Sequence, residues 1–131
     1  MDLNTLKEII SILDKPTTNN NSVVEYLDKQ TSINDLFLDE YVIVRTYSAG
    51  VFAGTLKRKI GNEVELNNAR RIWYWKGAAS LSQLAEEGTS APTECQFPAE
   101  VSKVLLIGVI EILKVSDKAE KSIKEVPIWK K

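Results

Sequence analysis

The residues predict an α+β chain: a small antiparallel β-meander or partly open barrel, with a helical extension at its amino end and short packing helices. Three observations lead there. Between Tyr41 and Trp75, runs of β-branched and aromatic residues are punctuated by glycine and asparagine at hairpin intervals. Before Pro16 and after Gly77, apolar residues recur instead at helical spacing. The length of 131 residues, 44% hydrophobic and 27% charged, fits one globular core rather than two.

The composition changes near residue 40, which divides an acidic helical extension over 1–40 from a β-rich core over 41–131 with a C-terminal helix. In the extension, Leu3, Leu6, Ile9, Ile10 and Leu13 form one helical face that Asp2 or Asn4 can cap. Pro16 ends it, and the run Thr17 to Ser22 reads as a loop because its side chains compete for backbone hydrogen bonds. Val23 to Lys29 reads as a second short helix capped by Ser22, and Thr31 or Ser32 as the cap of a turn through Leu38.

In the core, Tyr41 to Thr46 and Val51 to Lys57 are strands joined by a turn at Ser48-Ala49-Gly50. After Ile60-Gly61-Asn62, the strict alternation of Glu63-Val64-Glu65-Leu66 marks a half-buried strand. Asn67-Asn68 reads as a turn into a fourth strand, Arg70 to Trp75. Ser80 and Gly88 bracket a helix carrying Leu81, Leu84 and Ala85, and Thr89 to Pro98 is a loop. Val104 to Val115 is the last β segment, with Gly108 as its bend or break. Ser116-Asp117 caps a helix from Lys118 to about Glu125, and Pro127 frees Ile128-Trp129 to tuck back onto the core.

The formal net charge of −1 hides a segregation. Residues 1–40 carry −5, residues 41–76 carry +5 and residues 77–131 carry −1. The basic stretch also holds six of the ten aromatic side chains. There is no histidine, so the usual acyl-transfer triad and most metal sites are excluded by inventory. The single cysteine, Cys95, has no partner for an intrachain disulfide and reads as a structural thiol. Glu63 and Glu65 share a strand face, but solvated alternation accounts for them better than a paired-carboxylate site. No phosphate-cradling glycine loop occurs. We therefore expect no enzyme, no catalytic residue, no metal and no cofactor. The longest apolar stretch, Val104 to Leu113, is interrupted by Glu111 and too short to span a bilayer, and no secretory signal is evident, so the expected location is cytoplasmic.

One string stands above background: Asn68-Ala69-Arg70-Arg71-Ile72-Trp73-Tyr74-Trp75-Lys76. Strand alternation sets Arg71, Trp73 and Trp75 on one face and Arg70, Ile72, Tyr74 and Lys76 on the other. An open face of that kind suits a planar anion, since indoles stack on nucleobases and a guanidinium pairs with phosphate oxygens. The competing reading buries both tryptophans in the core. The turn through Tyr47 to Gly50 next to Arg45 is a second candidate, and Lys57 a third source of positive charge. The expected ligand-binding set is Arg45, Tyr47, Lys57, Arg71, Trp73 and Trp75.

Three strings, Val44-Arg45-Thr46-Tyr47-Ser48-Ala49-Gly50-Val51, Asn68 through Ala78, and Lys121 through Lys130, resemble a family of small phage and prophage proteins of unassigned function. The likeness spans about Tyr41 to Lys131 and leaves residues 1–40 outside it. A similarity of class alone extends to phage anti-defence proteins that sequester cyclic nucleotide immune signals as small β-rich oligomers; no ligand residue is carried over from them. The expected function is non-enzymatic binding of a nucleotide-like ligand by a homo-oligomer. The alternatives are an assembly component, whose acidic extension meets a partner, and a single-stranded nucleic-acid binder. The near-neutral net charge counts against the last.

Overall fold

Residues 33–131 are described by a computed structural model, and Phe37–Lys131 form one compact unit within it. The two helices expected before residue 30 lie outside the described residues. Residues 33–39 are turn, as expected around Leu36 to Leu38.

Five antiparallel strands form one open sheet: β1 (Tyr41–Thr46), β2 (Val51–Ile60), β3 (Glu63–Arg71), β4 (Val101–Ile107) and β5 (Val109–Lys114). Their order across the sheet is β4-β3-β2-β1-β5. The first four follow one another as a meander, and β5 then joins β1 at the opposite margin. Only Gly108, in the left-handed region at φ +76°, separates β4 from β5. The expected last β segment is thus two strands split at that glycine. Among the described residues two short helices accompany the sheet in an α+β architecture, α1 (Leu81–Glu87) and α2 (Asp117–Glu125), with a 3₁₀ turn at Pro92–Glu94. Ser80 and Ser116 cap the helices by accepting from Gln83 N and Ala119 N, and Gly88 ends α1. Among the described residues, no helix is long and apolar enough to cross a membrane.

The sheet is buried on both faces where β1 and β2 run. Val42, Val44, Phe52, Leu56, Val64, Leu66, Ala69 and Leu106 fill one side. Tyr41, Ile43, Ala53 and Ile72 face the other, under Leu84, Ala85, Ala119, Ile123 and Phe97. Truncating a fully buried side chain such as Leu56 to alanine is expected to cost about 2–5 kcal/mol.

Two expectations are corrected. Asn67-Asn68 is not a turn between strands: Asn68 takes φ 50° inside β3, where the pairing steps from Thr55↔Asn67 to Ala53↔Arg70 and leaves an irregularity opposite Gly54. Asparagine tolerates that conformation, so the strand absorbs the break as a bulge. There is accordingly no separate strand from Arg70 to Trp75. β3 ends at Arg71, and beyond it Tyr74 makes one isolated bridge to Gln96. The tail returns as expected in its backbone, since Trp129 N donates to Phe97 O at 2.9 Å, while the Ile128 side chain stays exposed.

Candidate functional site

The end of β3 and the β1–β2 turn meet at one hollow of about 380 Å³, lined by Ser48, Ala49, Gly50, Val51, Arg71, Ile72, Trp73 and Trp75. Local chemistry fixes the turn. Thr46, nearly buried, accepts from Ala49 N at 2.9 Å and donates to Gly50 O at 2.8 Å through the same hydroxyl. Gly50 supplies φ +94°, which side-chain-bearing residues rarely adopt. The Ala49 carbonyl is thereby held where Arg71 can use it.

Arg71 donates from Nη1 to that carbonyl at 2.6 Å, and its guanidinium lies 4.3 Å from the centroid of the Phe52 ring. These contacts orient the guanidinium without neutralising it, because a carbonyl and a ring face carry no net charge. Among the described residues no carboxylate forms an ion pair with Arg71. Trp73 is 64% exposed. Its backbone N–H donates to Gln96 O at 3.2 Å, so the chain beneath the indole is tied down while the ring stays exposed. Trp75 is half-buried, packs against the helix-side core and donates from Nε1 to Ala78 O at 3.2 Å. The hollow thus has one fixed aromatic wall, one exposed indole and one pre-positioned cation.

The other expected residues lie elsewhere. Arg45 sits directly opposite Glu111 on the neighbouring strand and pairs with it at 3.2 Å. Lys57 is the unpaired residue at the second irregularity of β2, between Leu56↔Leu66 and Arg58↔Glu65, and it reaches Asp39 at 2.6 Å. Tyr47 is exposed next to the turn without lining the hollow, and its N–H donates to Gly108 O. Arg58 meets Glu65 and Lys76 meets Glu94. The glutamate raises the Lys76 pKa, first by hydrogen bonding and then by charge. Much of the positive charge of the basic stretch is thus balanced locally: Arg45, Lys57 and Lys76 find carboxylates from other segments and Arg58 finds one within it.

Sequence reasoning missed what Arg70 does. Only 3% exposed, it donates to the carbonyls of Pro98, Ile123, Phe97 and Pro127 at 2.8, 2.9, 2.8 and 3.1 Å. It gathers the end of α2 and the chain on either side of it. Burial, the largest cause, lowers its pKa, and the four carbonyls offset that penalty. The hint in the sequence was the alternation that put it beside Ile72 on the apolar face. Cys95 is buried, and its thiol donates toward the carbonyls of Lys76 and Ala91 at 3.4 and 3.6 Å, a structural position as expected.

Residues 39–123 match the family described as a domain of unknown function, DUF6948, and the chain belongs to that family. No curated protein matches the sequence.

Proposed function

We propose that the chain is a binding protein, without turnover, for a small planar ligand carrying a single phosphate group, of the nucleoside monophosphate or cyclic nucleotide type. The observation that carries this reading is the pairing of exposed Trp73 with Arg71, a guanidinium oriented by Ala49 and Phe52 and without a carboxylate partner among the described residues. The base stacks on Trp73 against the wall made by Trp75, and Arg71 donates its remaining N–H groups to the phosphate. One cation at the hollow favours one phosphate. A longer anion or an extended nucleic-acid strand needs a track of cations, and Arg45, Lys57 and Arg58 are already paired with acids. Sequestration of a cyclic nucleotide signal is a narrower form of the same reading.

The test is a titration of the full chain with AMP and with 3′,5′-cyclic AMP, followed by tryptophan fluorescence. The expected result is saturable quenching that Trp73→Ala abolishes and Arg71→Ala weakens about tenfold, the loss of one charge-assisted contact. Ligand recovered after denaturation should be chemically intact. Absence of quenching and of any thermal shift with either nucleotide up to about 1 mM would overturn the reading. So would affinity that rises with oligonucleotide length.

A further inference from the structure

β4 forms one margin of the sheet, with β3 on its inner side and no strand on its outer side among the described residues. Val104 and Leu106 point into the core, and Val101, Lys103, Leu105 and Ile107 alternate onto the outer face. Val101 is 47%, Leu105 60% and Ile107 61% exposed. The strand has no proline, and its ladder to β3 runs without a register shift. Of the devices that blunt a sheet edge, it carries only the charge of Lys103.

We propose that β4 pairs antiparallel with β4 of a second copy of the chain, continuing the sheet across a twofold axis. The residues select the register. Side chains of one face must oppose each other, so the axis passes through a residue of the strand rather than between two. An axis at Lys103 sets it directly against the partner's Lys103, which like charge disfavours. An axis at Leu105 places Val101 opposite the partner's Val109, beyond the break at Gly108. An axis at Val104 pairs all seven residues of β4: Val101 meets the partner's Ile107, and Leu105 meets the partner's Lys103.

That third register is also complementary in charge. Glu65 is the cross-strand neighbour of Leu105, so it stands two strand spacings, roughly 10 Å, from the partner's Lys103. A lysine stem can lie over the leucine and bring its ammonium to the carboxylate. Within its own chain Lys103 faces Asn67 and forms no ion pair among the described residues. The twofold therefore covers three exposed aliphatic side chains per copy and brings Lys103 to Glu65, a carboxylate it would share with Arg58, 3.7 Å away in that chain. None of these residues lines the hollow at Trp73, so the two proposals stand or fall separately.

Sedimentation velocity on the full chain at about 100 μM should give twice the 14.7 kDa monomer mass. Two substitutions at the same exposed position then read the register. Leu105→Lys opposes the partner's Lys103 and is expected to weaken the dimer at least about tenfold; Leu105→Glu opposes it with a carboxylate and stays within about threefold of the parent. The lysine variant faces Glu65 in its own chain, whereas the glutamate variant sets a second carboxylate opposite it, so both variants must first be shown to be folded. Circular dichroism checks this. A monomeric parent chain, two variants that both dimerise like the parent, or a glutamate variant as weak as the lysine variant would each overturn the proposal.

Discussion

Arg70 and Arg71 are consecutive, yet they end β3 in opposite surroundings. Arg70 points into the helix side of the sheet, where it is enclosed and spends its donors on four backbone carbonyls. Arg71 points the other way, spends one donor on one carbonyl and keeps its guanidinium at the rim of the hollow. Among the described residues neither meets a carboxylate. For Arg70 this lets a guanidinium fork tie α2, its C-terminal extension and the Phe97–Pro98 segment together without burying a counter-ion. For Arg71 it leaves a guanidinium at the rim of the hollow with no ion pair among the described residues. Neighbouring side chains of one type thus serve the fold and the surface because a strand alternates.

The comparison breaks most severely at Arg70. Arg70→Ala leaves buried carbonyls without donors and is expected to lower stability by about 3 kcal/mol, seen as an earlier urea midpoint. Arg70→Lys should recover less than half of that, because an ammonium lacks the planar fork. A full recovery by lysine would show that charge alone matters there.

The next largest effect is alkaline. Tyr41 lies beside Arg70 on the enclosed side, and its pKa is raised by burial first, then by Glu100 and Glu120. A phenol that resists ionisation in the folded chain contributes stability that is complete below its ordinary value of about 10 and is lost as pH rises toward the folded value. Urea midpoints should therefore hold steady to about pH 10 and fall above it. Tyr41→Phe should reduce that fall. Its hydroxyl is buried with no hydrogen-bond partner among the described residues, so the substitution should change stability at neutral pH by less than about 1 kcal/mol.

On the open side the stability effects shrink. Arg71→Ala removes one carbonyl contact and the Phe52 stacking and should cost about 0.5–1 kcal/mol. Trp73→Ala, at a largely exposed ring, should stay within about 0.5 kcal/mol. If either variant unfolds the chain as Arg70→Ala does, the contrast between the two faces is wrong.

Much of the fold was legible because local chemistry and tertiary structure agree. Ser80 and Gly88 bracket α1, Ser116 caps α2, and Gly108 divides the last β segment. The failures fall where a local signal has two readings. Asn67-Asn68 has turn chemistry, yet asparagine at positive φ also fits a bulge, and only pairing with β2 and β4 decides between them. Within the expected set, Arg71, Trp73 and Trp75 line one hollow, as their closeness in sequence and the readable β1–β2 hairpin allow, although the strand alternation expected of them stops at Arg71. Arg45 and Lys57 do not, because their partners Glu111 and Asp39 are 66 and 18 residues away, and such pairings are invisible to sequence spacing.

Gly108 carries a kinetic consequence. The residues on its two sides complete opposite margins, β4 against β3 and β5 against β1, so the β3 margin can be finished only once the chain has been made past Ile107 and the β1 margin only past Lys114. Pairing across such separations is entropically slow. Both outer strands are therefore late additions to the sheet, and the nascent chain exposes the flanks of β1 and β3 until they arrive.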